Sequence, residues 1–272
     1  MNFNQLRDKF SSFDLSSRLI VAFACIPLLL LVPYLGFMPM VILWTLIWFH
    51  MLSELSSMIS LKDQTRDAFL FGGLVYYVVL SSLLFYTTWS VSLALVCWIM
   101  YPLSIWLLIS FSKSKNFFVL WSYINYVTLP VLFLLLIYQS QGPLAMMIIL
   151  ITIWALDTLS YFTGVSMGRH PIAPRLSAKK TIEGTIGGII GASFVFIGLL
   201  QLLNFPSIAV QPFLFALLLT FSAFTGDLLE SFLKRQFKIK DSGVVLKGHG
   251  GMLDRFDSLL FFVFSWFILL LS

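Results

Sequence analysis

The sequence predicts an all-α polytopic membrane protein, and three observations support that prediction. Of the 272 residues, 59% are hydrophobic and only 11% are charged, whereas a soluble domain carries about 25% charged residues. Several apolar runs approach the roughly 20 residues that a helix needs to cross a bilayer. These runs are continuous, as in VILWTLIWFHML. A membrane β-barrel would instead need short segments of alternating polarity, so helices are the predicted spanning elements.

Nine apolar segments have about the length of a membrane-spanning helix. They are residues 19–36, 38–56, 68–86, 89–111, 117–138, 144–164, 184–203, 210–229 and 256–271. The first two form one apolar stretch, which we divide at PYLGFMP because Pro33, Gly36 and Pro39 interrupt it. Residues 1–18 precede them as a polar, mildly amphipathic segment. We therefore expect about nine transmembrane helices.

The distribution of charge predicts the orientation of these helices. With nine spans, all 17 lysines and arginines fall in the N-terminal segment and in alternate loops, on one side of the membrane. The connections near YLG, YTTW, QSQGP and NFPSIAV, on the other side, carry no charge. Cytoplasmic loops carry the excess of Lys and Arg. The N-terminus and the long polar loops at 165–183 and 230–255 are therefore predicted to be cytoplasmic.

Carboxylates cluster at the cytoplasmic ends of the last spans. Asp254 and Asp257 are three residues apart, as are Asp227 and Glu230 on the preceding span, so each pair shares one helix face. Asp157 lies late in the sixth span. Taken singly, such residues usually sit at the interface or pair with a basic neighbour. Together, two pairs on consecutive spans could hold a hard cation such as Mg²⁺, which is typically bound by one or two carboxylates with substrate phosphates.

The segment GHGG, residues 248–251, lies immediately before the last span. Three of its four positions lack a side chain, which lets backbone N–H groups approach an anion closely. A helix N-terminus that follows also favours negative charge. His249 could donate a hydrogen bond to a phosphate or cap the loop. The alternative is a plain flexible loop, because a glycine cluster alone is weak support for a site.

Two loops combine lysine with serine, threonine, glycine and carboxylate, in the segments SAKKTIEG and KRQFKIKD. One interpretation is topological, because positive loops stay in the cytoplasm and contact anionic headgroups. The other is a phosphate-handling site, which needs cations, hydroxyl donors and metal-binding carboxylates together. The glycines of GTIGGIIGAS in the seventh span are predicted to pack closely against another helix instead.

Residues 231–258, SFLKRQFKIKDSGVVLKGHGGMLDRFDS, resemble the signature of the phosphatidate cytidylyltransferase (CDP-diacylglycerol synthase) family. The family pattern has Ser, Lys-Arg, Lys-Asp-x-Gly, His-Gly-Gly and Asp-Arg-x-Asp in this order. Upstream, GDLLES, SAKKTIEGTIGG and DTLSYFTGVSMGRH are similar to further family segments. The chain departs from the pattern at Ala178 and Lys247, where proline is usual, and at Arg169, where lysine is frequent. These departures bear on rate or substrate preference rather than on the reaction.

The resemblance implies a reaction of CTP with phosphatidate that gives CDP-diacylglycerol and pyrophosphate. It implies Mg²⁺ held by Asp227, Asp254 and Asp257, with Asp157 as a further candidate; a monovalent cation beside the magnesium is left open. The implied catalytic side chains are Lys234, Arg235, Lys240, Asp241, His249 and Arg255. The implied substrate-binding residues are Ser177, Lys179, Lys180, Ser231, Gly248, Gly250 and Gly251.

The expected setting is the bacterial inner membrane, with the active site facing the cytoplasm. Residues 1–18 form a cytoplasmic segment, 19–143 the N-terminal transmembrane helices and 144–272 the C-terminal transmembrane catalytic region. The expected partners are CTP, phosphatidate and membrane lipids, without nucleic acid; a homodimer is left open. Two alternatives remain: a CTP-dependent transferase for another lipid phosphate, and a transporter with intramembrane carboxylates. The charges gather at one face and no inverted repeat is evident, which disfavours the transporter.

Overall fold

The computed structural model describes residues 25–86, 90–205, 211–243 and 250–271. The predicted N-terminal segment at 1–18 lies outside the described residues, as do Gly248 and His249 of the predicted anion cradle. Most of the described chain is helical, with one small antiparallel hairpin. The predicted all-α membrane class is therefore confirmed in its main feature.

Nine helices occur in the described ranges. They are α1 (Cys25–Leu35), α2 (Phe37–Met58), α3 (Asp63–Tyr86), α4 (Ser90–Phe111), α5 (Phe117–Gln141), α6 (Pro143–Met167), α7 (Ile182–Leu202), α8 (Pro212–Gln236) and α9 (Leu253–Leu271). Six of them, α2, α3, α5, α6, α7 and α8, are long and apolar enough to cross a membrane. The division of the first apolar stretch falls at Gly36, whose φ of 114° lies in a region that L side chains rarely adopt.

Local sequence explains where several helices begin. The Asn116 side chain accepts a hydrogen bond from the N–H of Val119, 3.0 Å away, and caps α5. Thr181 caps α7 in the same way through the N–H of Gly184, at 3.1 Å. Pro143 opens α6, where its missing N–H costs nothing. These local interactions determine where α5, α6 and α7 begin, and therefore the directions in which side chains project from these helices.

The polar segment between α6 and α7 is more ordered than a loop. Strands β1 (Pro171–Ala173) and β2 (Ser177–Thr181) pair antiparallel, with Pro171 opposite Thr181 and Ala173 opposite Ser177. From the sequence, residues 165–183 were predicted only to form a long cytoplasmic loop. Lys179 and Lys180 of the segment SAKKTIEG therefore lie on strand β2.

The glycines of α7 pack against α6, as predicted. A Cβ atom added to Gly187 would lie 2.6 Å from Thr163, and one added to Gly191 would lie 2.7 Å from Leu159. Small residues let two helix backbones approach in this way inside a bilayer. The closely packed helices α6 and α7 together form one wall of the cavity described below.

Candidate active site

A cavity of about 510 Å³ lies between α6, the hairpin, α7 and α8. Polar and charged side chains meet apolar ones in its walls. The polar lining includes Asp157, Ser160, Ser177, Lys179, Lys180, Thr181, Thr185, Asp227 and Ser258. The cavity therefore brings together residues that are up to 102 positions apart, from Leu156 to Ser258.

Lys180 and Asp227 form an ion pair across the cavity wall. Lys180 projects from β2 and Asp227 from the last turns of α8, and about a quarter of each side chain is exposed. The ammonium also lies 5.8 Å from the centre of the Phe224 ring, one helical turn before Asp227. A partly desolvated ammonium at this place can neutralise anionic groups that enter the cavity.

Three predicted carboxylates, Asp157, Asp227 and Asp257, project from α6, α8 and α9; Asp257 lies near the negative charges of Asp227, Glu230 and Asp157, and Asp157 lies near that of Asp227. Asp257 is 8% exposed, and its Oδ1 accepts the N–H of Ser258 at 2.6 Å. Positive charge on Lys180 and Arg255 offsets the repulsion at Asp157. Such a concentration of negative charge at membrane depth is costly unless a cation compensates it.

The donor set suits a magnesium ion that substrate helps to hold. Within the described ranges, no three His, Cys, Asp or Glu side chains are arranged as a complete ligand set. Magnesium does not need one, because one or two carboxylates with water and phosphate oxygens complete its octahedral shell. The carboxylates of Asp157 and Asp227, which line the cavity, are of the kind that such an ion takes, and Asp257 is buried near Asp227.

The fourth predicted metal ligand, Asp254, belongs to a separate cluster. Its Oδ1 accepts from the Lys234 ammonium at 2.6 Å, and Lys234 also pairs with Glu230 at 2.6 Å. Its Oδ2 accepts the N–H groups of Ser242, at 2.9 Å, and Gly251, at 2.7 Å. Both carboxylate oxygens are thus engaged inside the protein, as is the amine of Lys234, which was expected to meet phosphate.

Part of the predicted glycine cradle is also engaged internally. The N–H of Gly251 points to Asp254, so in this arrangement it does not face a ligand. Gly250 has a φ of 82°, which favours glycine, and a Cβ there would lie 2.7 Å from the Asp254 carboxylate. Both glycines therefore serve the turn that leads into α9.

Arg235 fixes the hairpin to the end of α8. Its Nε donates to the carbonyl of Leu176 at 3.1 Å, and Nη1 donates to the carbonyl of Ile239 at 2.9 Å. At the other end, Glu183 accepts the backbone N–H groups of Arg169 and His170 at 3.0 and 3.2 Å. The hairpin that carries Lys179 and Lys180 is thereby held at both ends.

The remaining predicted residues occupy different environments. Lys179, Lys240, Asp241 and Arg255 are exposed, whereas Ser231 is buried in α8. Ser177 lines the cavity together with Lys179. The structure thus brings Asp157, Ser177, Lys179, Lys180 and Asp227 to one cavity. Lys234 and Asp254 are not among the residues that line it and lie in the cluster at the α8–α9 junction.

Glu54, at this junction, was not among the predicted site residues. It lies on α2, almost 200 positions before α9, and is 5% exposed. Its carboxylate accepts the N–H groups of Met252 and Leu253 at 2.7 and 2.8 Å. A charged residue inside the apolar run of α2 was the available signal, because buried carboxylates need partners.

Comparison with known proteins decides the family. The sequence model of the cytidylyltransferase family matches residues 16–272 of the chain. The chain belongs to this family. The resemblance found in residues 231–258 and in the segments upstream is thereby confirmed, and family membership favours the enzyme over the transporter alternative.

Curated relatives agree with the family. Proteins named phosphatidate cytidylyltransferase are similar to this chain: 42% identical over 142 residues in Thermotoga maritima, 44% over 123 in Bacillus subtilis and 42% over 123 in Staphylococcus haemolyticus. The matches cover 50%, 44% and 45% of this chain and 52%, 45% and 47% of the relatives. The chain thus spans about half the length of the curated relatives that it matches.

Proposed function

We propose that the protein transfers the cytidylyl group of CTP to phosphatidate and so forms CDP-diacylglycerol and pyrophosphate. The observation that carries this proposal is the cavity, in which Asp227 and Lys180 face each other beside Asp157, within a chain of the cytidylyltransferase family. Relatives named phosphatidate cytidylyltransferase supply the identity of the lipid.

The cavity's surroundings suit one water-soluble and one lipid substrate. Lys179, Lys180 and Ser177 from the polar hairpin line one part of it. Tyr161 and Val165, which also line it, are 66% and 71% exposed on the outer face of α6. In a bilayer, such exposed apolar side chains face acyl chains. The lipid phosphate would thus enter from the α6 side while the nucleotide enters from the hairpin side.

Repulsion between two anionic substrates is the main physical obstacle to this reaction. Lys180 and Lys179 would neutralise phosphoryl oxygens, and Ser177 would donate a hydrogen bond to one of them. The lipid phosphate oxygen would form a bond to the α-phosphorus of CTP while the α–β bridging bond breaks and its electrons leave with pyrophosphate. No covalent enzyme intermediate is needed.

We infer that Asp227 and Asp257, with Asp157, hold the magnesium ion. Bound there, the ion would screen the negative charge that develops on the transferring phosphoryl group. The chain's own contribution is the convergence of three helices that places these carboxylates together. Lys234 and Asp254 would support the site from the neighbouring cluster, and Arg255 would offset charge near Asp157.

The proposed topology is the one that the charge distribution predicts: nine spans with the N-terminus in the cytoplasm of a bacterial cell. The cavity then opens at the cytoplasmic face of the inner membrane. Support comes from six long apolar helices, and from the hairpin lysines and the end of α8, which lie together near the cavity. Cysteine labelling at Lys113 and at Gln141, placed on opposite sides, would test it.

Release of pyrophosphate by the purified protein in detergent tests the proposed function. The assay compares CTP with ATP, GTP and UTP, each with and without phosphatidate and magnesium. We expect release only when CTP, phosphatidate and magnesium are all present. Release with another lipid phosphate, but not with phosphatidate, would show that this other lipid is the acceptor. Folded protein that releases none with any acceptor would overturn it.

A further inference from the structure

The junction between the loop ahead of α9 and the helix itself rests on a carboxylate from the N-terminal half of the chain. Glu54 Oε1 accepts the N–H of Met252 at 2.7 Å. Glu54 Oε2 accepts the N–H of Leu253 at 2.8 Å and the hydroxyl of Ser242 at 3.1 Å. Three donors from one short stretch of the C-terminal region thus converge on a single buried side chain of α2.

Two glycines make room for this carboxylate. A Cβ on Gly243 would lie 2.7 Å from Glu54 Oε1, and a Cβ on Gly251 would lie 2.5 Å from Glu54 Oε2. Both distances are under 3.0 Å, which Cβ atoms essentially never show, so a side chain at either position would force the Glu54 carboxylate to move. The glycines of this segment therefore fit a protein carboxylate closely.

A second carboxylate holds the same junction from the other side. Asp254 Oδ2 accepts the N–H groups of Ser242 and Gly251, and its Oδ1 binds Lys234. Ser242 donates its N–H to Asp254 and its hydroxyl to Glu54, so it links the two carboxylates. The start of α9 is thereby clamped between α2 and α8.

The geometry points to Glu54 as a positioning residue: its carboxylate fixes the start of α9, and hence the place of Asp257, for the reaction. This inference rests on the proposed function, because Asp257 is a proposed metal ligand. A helix N-terminus favours a bound anion, and at the N-terminus of α9 that anion is the Glu54 carboxylate. The N–H groups of Met252 and Leu253 therefore bind a carboxylate of the protein itself and not a substrate phosphate.

The test compares Glu54→Gln with a matched variant on the same two helices. Trp44, also on α2, packs edge-on against Phe256 of α9, with ring centres 5.4 Å apart. Trp44→Leu loosens the α2–α9 contact without touching the hydrogen bonds of Glu54. In Glu54→Gln, the amide nitrogen replaces one acceptor oxygen and faces a donor, so the N–H of Met252 or that of Leu253 loses its acceptor.

Two readouts are measured on the full-length protein in detergent: hydrogen exchange of residues 250–257 and the kinetic constants for both substrates. In Glu54→Gln we expect at least tenfold faster exchange in this segment. We also expect kcat to fall about 100-fold, as for a misplacement of about 1 Å, with each KM within threefold of wild type. In Trp44→Leu we expect a lower Tm with kcat within threefold of wild type.

The outcomes separate this inference from the proposed function. Unchanged exchange in Glu54→Gln overturns the inference even if the wild type is inactive in the assay. A kcat close to wild type, or an equal loss of kcat in Trp44→Leu, also overturns it, because Glu54 would then act only through general packing. If Glu54→Gln does not accumulate, Glu54→Asp keeps the carboxylate but withdraws it by one methylene. The same exchange and kcat limits then apply to that variant.

Discussion

Lys234 on α8 binds Asp254 on α9 across 2.6 Å and, at the same distance, Glu230 one turn earlier on its own helix. Glu230 is fully buried, and little of Lys234 or Asp254 is exposed. The ammonium therefore compensates two carboxylates in a poorly solvated place. This arrangement ties together the two helices whose aspartates, Asp227 and Asp257, we propose as metal ligands.

Replacing Lys234 by Met should destabilise the protein strongly. The change leaves Glu230 and Asp254 without their shared cation, and breaking a buried pair in this way costs about 3–5 kcal/mol. Thermal unfolding in detergent measures the effect. The exposed Lys113→Met is the matched control and should change stability by less than about 0.5 kcal/mol. Equal stabilities of the two variants would show that the cluster is not important for folding.

Replacing Asp254 by Asn should abolish turnover while the protein remains folded and inserted in the membrane. The amide nitrogen of Asn cannot accept from Lys234 or from the N–H groups of Ser242 and Gly251. We expect kcat to fall by at least about 100-fold, the loss typical of a 1 Å misplacement. The exposed Asp67→Asn serves as the control. Activity near wild type in Asp254→Asn would remove this residue from the site.

Replacing Lys180 by Gln should weaken activity because Asp227 loses its counter-ion and the cavity loses positive charge. A hydrogen bond to a charged group contributes about 1.5–3 kcal/mol, so a loss of roughly 10- to 100-fold in kcat/KM for CTP is expected. Steady-state kinetics with both substrates provide the measurement. Arg175→Gln, in the exposed turn of the same hairpin, should leave kcat/KM within threefold. If both variants behave alike, the effect is one of general charge.

Adding a methyl group at Gly251 should destabilise the α9 junction. The new Cβ would overlap Glu54 and Ser242, and overpacking of this kind costs about 1–3 kcal/mol. Gly72→Ala is the control, because a Cβ there meets no atom within 4 Å. In that variant, stability should be unchanged or higher by up to about 1 kcal/mol, since alanine favours helix. A Gly251→Ala protein as stable as wild type would contradict the close fit around Glu54.

The sequence predicted the helical architecture because long apolar runs leave few alternatives in a bilayer. The break at Gly36 could also be predicted from the sequence, because proline and glycine interrupt such apolar runs in recognisable ways. The hairpin at 171–181 was not predicted. Its strands are three and five residues long, too short for a periodic pattern to emerge.

The sequence predicted which residues contribute to the site, but not which side chains pair with one another. Spacing along the chain placed Asp254 and Asp257 on one helix face, yet their surroundings differ: Asp254 pairs with Lys234, whereas Asp257 lies near the carboxylates of Asp227 and Glu230. The spacing of residues along the chain does not reveal which distant side chain completes an ion pair. Glu54 shows this most clearly, because its partners lie almost 200 residues away.

The most direct test of the account follows the label from CTP into the products. Protein in detergent micelles with phosphatidate and magnesium receives CTP labelled with ³²P at either the α- or the γ-phosphorus. The proposed reaction places the α-label in the extracted lipid and the γ-label in water-soluble pyrophosphate. A γ-label in the lipid would indicate transfer of the terminal phosphoryl group instead. That result, or an α-label that never enters the lipid, would contradict cytidylyl transfer by this protein.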